Sequence, residues 1–342
     1  MKPDIRSLTS VQLGALCQEL SWQRYRHRQL YSWLWQRRVT SFDDMTNIGK
    51  SERSGLGERF RIFVPETLGR AEAADGTTRH TFRLCDGAVV ESVYIPDRGR
   101  RTVCVSTQVG CGLGCRFCNT ARLGLTRSLA WHEIAGQALE VARSVPERLT
   151  NVVFMGMGEP MANLQEVMTA VAELNSVQGM NIGARRITVS TAGLPDGIRQ
   201  YAQSTLQSRL AVSLNAADDE TRSRLMPVNR RHPLAELMSA LREYVGLQRK
   251  RITFEYVLLR GENDKPGDAR SLARLLKGIP CKVNLIPFNP YPDCEFVPPR
   301  PAEVERFAEL LYPLLPAVTI RRSRGAAVNA ACGQLAASAK PD

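Results

Sequence analysis

Cys111, Cys115 and Cys118 stand at the spacing C-x3-C-x2-C, with glycines at 110, 112 and 114. Glycine reaches backbone conformations closed to other residues, so such a loop can wrap closely around something compact. Four thiolates would suit a closed zinc or iron–sulfur site. Three thiolates on one short loop suit a [4Fe–4S] cluster with one iron left open to bind a cofactor. The alternative is a structural zinc ion with a distant fourth ligand, from His132 or Cys104. Paired CxxC halves usually mark such zinc sites, and only one half is present.

A second candidate is Gly156-Met157-Gly158-Glu159-Pro160, directly after the strand-like run 151–155. A glycine-rich turn at a strand end allows the backbone to approach a ligand, and Glu159 adds an acceptor for an ammonium group. The bland reading is a β–α turn with a helix-capping acid.

In the context Cys104-Val105-Ser106-Thr107-Gln108-Val109-Gly110-Cys111 and Phe117-Cys118-Asn119-Thr120-Ala121, the cysteine spacing resembles the radical S-adenosylmethionine (SAM) enzymes. Within them it is similar to the RNA adenine methyltransferases of the RlmN and Cfr type. The resemblance runs from about residue 15 to Leu335. It implies that Cys111, Cys115 and Cys118 hold a [4Fe–4S] cluster whose open iron chelates SAM. One electron from the cluster then cleaves the sulfonium to methionine and a 5′-deoxyadenosyl radical. It implies SAM contacts from Gly158 and Glu159, from Ser190, from Ser213, Leu214 and Asn215, and from Asn289. Taken singly, each later position reads as an ordinary strand terminus. Members of the family usually carry His where Asn215 stands, Trp where Phe288 stands and an acidic residue near Ala326 and Ala327.

The resemblance also gives roles to cysteines outside the loop. Cys332, in Ala331-Cys332-Gly333-Gln334-Leu335, would take a methyl group from one SAM. A second SAM would give the radical that activates this methyl, so two SAM are used per turnover. A covalent protein–RNA adduct follows, Cys104 resolves it, and a transient Cys104–Cys332 disulfide remains for a reductant to reopen. Glu91 matches the family's general base. Read without the resemblance, both cysteines are small buried hydrophobes and Glu91 is a polar residue on an alternating strand. Small neighbours suggest an exposed, mobile thiol at Cys332.

The expected activity is methylation of an adenine ring carbon in RNA: 23S ribosomal RNA, and also transfer RNA. Carbon 2 is preferred because Pro160 after Gly158-Glu159 resembles the carbon-2 enzymes. The alternatives are carbon-8 methylation of the Cfr type and a radical SAM enzyme acting on a protein or small molecule. A zinc-stabilised RNA-binding module is the non-enzymatic alternative. An electron donor such as flavodoxin or ferredoxin is implied, and a monomer is expected.

These residues need elements to position them. The 342 residues carry a net charge of +12, with 43% hydrophobic and 23% charged residues. That is a globular composition, and the basic balance favours a polyanionic partner over a neutral one. Nine cysteines, six of them scattered, do not form a secreted disulfide framework. No apolar run reaches the ~18 residues of a membrane span, and the N-terminus has no secretory signal, so a cytoplasmic location is expected.

Residues 1–66 read as a helical RNA-docking domain in which Leu30, Trp33 and Leu34 share a face among arginines, with Ser41 capping a further helix. Residues 67–96 read as a β meander linker turning at Asp75-Gly76 and Asp86-Gly87. From there strand-like runs (102–107, 151–155, 186–191, 209–215, 252–259, 282–288, 318–322) alternate with helical ones (129–145, 164–174, 194–203, 234–247, 269–276, 302–314). Such alternation predicts a parallel sheet with outer helices. The expected fold is α/β: a partial (βα)6 radical SAM barrel over 97–322, followed by a tail over 323–342. Its site belongs at the C-terminal ends of the strands. Basic pairs at Arg185-Arg186, Arg230-Arg231 and Arg321-Arg322, with Arg249-Lys250-Arg251, offer an RNA path.

Overall fold

The computed structural model describes residues 2–336. Three helices open the chain: α1 (Ser10–Glu19), α2 (Tyr25–Trp35) and α3 (Lys50–Arg59). Thr9 starts α1 with a capping box, its hydroxyl accepting from the Gln12 amide while Gln12 answers the Thr9 amide. Leu30, Trp33 and Leu34 are buried as their spacing requires. Ser41 caps only a short 3-10 turn, Phe42–Asp44. The turn ends because Met45 and Ile48 are drawn into the core, and the next α-helix waits for Gly49.

The helices do not stand apart from the rest. Trp35 stacks on Trp131 with ring centroids 5.5 Å apart, and the Tyr31 hydroxyl donates to Glu173. One apolar core runs from α2 into the barrel helices.

The meander is β1 (Glu66–Glu72), β2 (Thr78–Arg83) and β3 (Val89–Asp97). Asp75 and Asp86 each accept from the amide two residues on, and Gly76 and Gly87 supply the positive φ. It is not a linker: β3 pairs antiparallel with β4 (Arg100–Cys104), so the meander extends the barrel sheet. A hairpin follows, β5 (Gln108–Gly110) with β6 (Leu125–Ser128), and then α4 (Trp131–Ser144).

The remaining units are β7 (Asn151–Phe154), α5 (Leu164–Asn175), β8 (Ile187–Thr191), α6 (Pro195–Gln203), β9 (Arg209–Ser213), α7 (Asp219–Leu225), α8 (Leu234–Gln248), β10 (Ile252–Leu258), α9 (Pro266–Leu275), β11 (Cys281–Pro287), α10 (Pro301–Leu311) and β12 (Val318–Ile320). The ten-stranded sheet has the order β1-β2-β3-β4-β7-β8-β9-β10-β11-β12, parallel from β4 onward. This is the open α/β barrel expected. Side chains alternate across it. On β10, Phe254 and Tyr256 are buried under the helices, Tyr256 stacking on Phe307, while Thr253, Glu255 and Val257 face inward onto cavities. No helix among the described residues is long and apolar enough to cross a membrane.

The tail is described to residue 336 and is held down. Gly333 and Leu335 carbonyls accept from the Asn119 amide and the Thr120 hydroxyl, and Gln334 donates to the Pro290 carbonyl. The last positions of the expected tail, 337–342, lie outside the described residues.

Candidate active site

The walls of the site are turns leaving the C-terminal ends of the parallel strands. The cysteine loop crosses the tip of the β5–β6 hairpin, and Gly110 allows it to begin there. Its φ is +75°, and a Cβ would sit 1.9 Å from the Gly124 carbonyl oxygen. The Cys111 amide donates to that same oxygen at 2.8 Å. Cys118 N–H closes on the Cys115 carbonyl at 3.1 Å, and Arg116 N–H ties the loop to Leu225 at 3.0 Å.

The three thiols open onto a cavity of about 170 Å3. Gly158 and Glu159 line it from the turn after β7, Ser190 from β8, and Ser213 from β9 with Asn215 just beyond. Asn289 lines it from beyond β11. Leu214 is the exception: its side chain is in the apolar core, and only its backbone runs past the site. Gly158 has φ +96°, and a Cβ there would meet Gln108 atoms at 2.5 Å, so only glycine brings this turn so close to β5.

Glu159 is buried, with Oε1 accepting from Met161 N–H at 2.9 Å and Oε2 from Ala192 N–H at 2.7 Å. Burial pushes its carboxyl up, and these amides partly offset that. Asn215 takes φ +59°, which Asn tolerates better than most residues. Its Oδ1 accepts from Val257 N–H at 2.8 Å, and its Nδ2 faces the Met226 sulfur at 3.2 Å. The side chain clamps two strand ends.

Burial pushes the thiols of Cys111, Cys115 and Cys118 upward, to about 11 for Cys111, and their neighbours' negative charge adds to this. As thiolates they need a cationic group beside them, and the loop's own backbone leaves a space there. The donor set thus fits an iron–sulfur cluster. Among the described residues no three His, Cys, Asp or Glu side chains come together to hold a single metal ion. His132 stands on α4 against Trp131 rather than at the loop.

Cys332 is half-buried and lines the same cavity; its position is tucked, not exposed. Asn289 Nδ2 donates to its carbonyl at 3.3 Å. The tail residues on either side of it are held in the core: Ala330 and Leu335 share one buried apolar cluster with Val93, Cys104 and Met157. Burial first, and then the nearby Cys332, push the Cys104 thiol up to about 12. Glu91 does not line the cavity. It is buried on β3, paired with Arg79 at 2.5 Å, and its Oε2 accepts from the Ala336 amide at 2.9 Å.

A second, polar cavity of about 450 Å3 fills the barrel interior below. Arg100, Arg209 and Lys282 stand at the N-terminal ends of their strands around it, and Arg322 and Arg324 at its rim. The two cavities meet at Cys332.

Three residues in this region carry no sequence signal. Arg222 is fully buried on α7 and donates to the Ala192 and Leu214 carbonyls at 2.6 and 3.1 Å, bracing two turns of the site. Burial lowers its pKa to about 10. Glu255 and Met155 line both cavities.

Family comparison agrees along the whole chain. The radical SAM superfamily model matches residues 105–273, and the ribosomal RNA large subunit methyltransferase N-terminal domain matches residues 4–62. The dual-specificity RNA methyltransferase RlmN of Anaeromyxobacter dehalogenans is 47% identical across 99% of this chain and 93% of its own length. That of Geobacter sulfurreducens is 47% identical across 97% and 91%. A radical SAM methyltransferase from Sphaerobacter thermophilus superposes with a TM-score of 0.94 at 43% identity, covering 98% of this chain and all of that one.

Proposed function

Because the chain belongs to the RlmN-type RNA methyltransferases of the radical SAM superfamily, we propose that it methylates carbon 2 of an adenine in 23S ribosomal RNA and in transfer RNA. The observation that carries this reading is the place of Cys332, where a thiol-walled cavity meets a basic channel. The dual specificity for which the relatives are named supports two RNA targets.

Cys111, Cys115 and Cys118 hold the [4Fe–4S] cluster. Gly158, Glu159, Ser190, Ser213, Asn215 and Asn289, with the backbone at Leu214, hold SAM. When bound, these groups supply the methyl and the 5′-deoxyadenosyl radical, with two SAM used per turnover.

The chain's own residues do the rest. Cys332 accepts the methyl on Sγ and gives up its thiol proton. After a hydrogen atom is removed from that methyl, its carbon bonds to the ring carbon of the base, linking enzyme and RNA. Glu91 accepts the ring proton as the tail lifts and the Ala336 amide leaves Oε2, and the single electron left on the ring would return to the cluster held by Cys111, Cys115 and Cys118. The Cys104 thiolate then attacks Cys332 Sγ. The S–S bond forms as the S–C bond breaks, and the electron pair left on carbon takes up a proton to complete the new methyl group. An external reductant reopens the disulfide, and a flavodoxin or ferredoxin supplies the electrons for the cluster.

The base enters from the N-terminal ends of the strands, through the polar channel. It must be unstacked to do so, which favours a loop over a duplex. Residues 1–66 dock the flanking RNA, with Arg24, Arg28 and Arg37 exposed. The enzyme works as a cytoplasmic monomer.

The test is an anaerobic assay with reconstituted protein, dithionite, SAM and a ribosomal RNA transcript. 2-Methyladenosine, S-adenosylhomocysteine and 5′-deoxyadenosine should form together. 8-Methyladenosine would move the target carbon, and absence of deoxyadenosine from a fully loaded cluster would end the reading.

A further inference from the structure

The layer where the two cavities meet holds more than a thiol. Met155, Glu255, Ile286, Asn289 and Arg321 line both cavities there beside Cys332. Two of these are charged, with opposite sign. Glu255 lies on β10 between Ser213 of β9 and Asn284 of β11. Along the inner face of β10 it stands between Thr253, in the channel, and Val257, in the upper cavity.

Glu255 is only 5% exposed. Its Oε1 accepts from Asn284 Nδ2 at 2.9 Å. Its Oε2 is buried and has no hydrogen-bond partner among the described residues. Leaving a buried carboxylate oxygen without a donor is costly, so an orphan of this kind in a cavity wall calls for a ligand that donates.

Arg321 leaves the end of β12, and its backbone is fixed by its N–H to the Leu285 carbonyl at 2.8 Å. Its guanidinium reaches the Met155 sulfur at 4.0 Å. The neighbouring Cys332 and then Glu255 push its pKa above the usual arginine value, so it stays cationic. The junction therefore offers one acceptor and one donor beside the reacting sulfur. A flipped base is read on its Watson–Crick edge. In adenine that edge is a donor, the N6 amino group, next to an acceptor, N1. A six-keto purine such as guanine or hypoxanthine shows the reverse order.

We propose that Glu255 and Arg321 read the Watson–Crick edge of the target adenine, Glu255 Oε2 accepting from the N6 amino group and the Arg321 guanidinium donating to N1. This rests on the reading above, in which the base reaches Cys332 through the channel. A six-keto base sets oxygen against carboxylate and N–H against guanidinium, so rejection is built into the same pair. A donor on N1 also draws electron density from the adjacent carbon 2, the carbon under attack. A carboxylate at this height has one competing use, facing the cofactor's sulfonium.

The experiment uses transcripts with adenosine, purine riboside or inosine at the methylated position, all of which keep a hydrogen on carbon 2. Wild-type enzyme should lose about 100-fold in kcat/KM on the purine transcript, which lacks N6, and more on inosine. Glu255→Gln should turn its oxygen to Asn284 and its NH2 into the cavity. It should lose about 100-fold on adenosine, no longer lose further on the purine exchange, and narrow the gap between inosine and adenosine, since Arg321 still opposes the inosine N1–H. Damage to the fold slows all transcripts alike and cannot change their ratios in this way. Wild-type enzyme that treats purine and adenosine alike overturns the proposal without any variant. A variant that slows all three transcripts by one factor assigns Glu255 to cofactor binding and also overturns it. Methylated Cys332 with no methylated transcript of any kind would mean that the RNA reading itself has failed, and this proposal with it.

Discussion

Cys104 and Cys332 differ in burial, and in the proposed reaction that difference sets their order of use. Cys332 opens onto both cavities, whereas Cys104 lies under Ala330 and Leu335. Cys332→Ala should take up no methyl and show no turnover, read by intact-protein mass spectrometry. Cys104→Ala should take up the methyl and then accumulate a protein–RNA adduct visible on a denaturing gel. The Cys104 thiol is pushed up to about 12, chiefly by burial. A raised thiol pKa favours the protonated form, so thiolate is scarce at neutral pH and grows tenfold with each pH unit below 12. Decay of the adduct should therefore quicken tenfold per unit between roughly pH 7 and 9, measured by quenching a single turnover; a flat profile would show that Cys104 is not the attacking group. At this scale the sequence was legible where residues lie close together, as in Cys111–Cys118 or Gly158-Glu159. Glu255 and Arg222 were not legible, because a lone charge on a strand or short helix has no local pattern. What marks Glu255 is an unpartnered oxygen, and that exists only once β9, β10 and β11 are side by side.

The β5–β6 hairpin turns three cysteines in sequence into one wall of a cavity, and it depends on a single close approach. At Gly110 a side chain is refused twice, by φ +75° and by the Gly124 carbonyl, which a Cβ would overlap. Gly87 has a similar φ of +87° but nothing within 4 Å of its Cβ position. Gly87→Ala should thus cost only the conformational term, about 1–2 kcal/mol. Gly110→Ala must also displace the carbonyl that Cys111 N–H bonds, bringing the loss to about 3 kcal/mol. Denaturant titration gives the two values, and iron per chain after reconstitution should fall for Gly110→Ala alone. The hairpin itself escaped the sequence reading because 108–110 and 125–128 are short and separated by the cysteine loop. α7 escaped for the same reason, being too brief to show a period. The main strand–helix alternation was legible to within a few residues, since each barrel strand carries β-branched and apolar residues toward the helices and each helix buries one face. Ser41 misled because a good cap does not make a helix when Met45, four residues on, is needed in the core.

The barrel as a whole has two ends with different chemistry, and the rule that sites sit at strand C-termini describes only one of them. The turns proposed to hold the cofactors are at those C-terminal ends, but the interior below them is not packed, as it would be in a closed barrel. It is a polar channel with cations at its far rim. Alternation on β10, β11 and β7 leaves Thr253, Asn284 and Asn151 facing inward, a detail that reads in sequence only as ordinary strand polarity. The aromatics of α2 also proved ambiguous. Tyr31, Trp33 and Trp35 are core residues and Tyr25 alone of the α2 aromatics is exposed, so in the proposed complex the helical end would meet RNA mainly through charge. Salt dependence then separates the two surfaces. Arg209 and Arg322 are exposed at the channel, while Arg270 is exposed on α9 outside it. Binding of a single-stranded loop transcript, titrated between roughly 50 and 200 mM salt, should lose about 0.7 from its log–log slope for Arg209→Ala and again for Arg322→Ala. Arg270→Ala should leave the slope unchanged. Should only Arg24 and Arg28 on the helical side matter, the RNA would be held at one end of the molecule while its target carbon had no charged path to Cys332, and the channel would have to be given up as the way in.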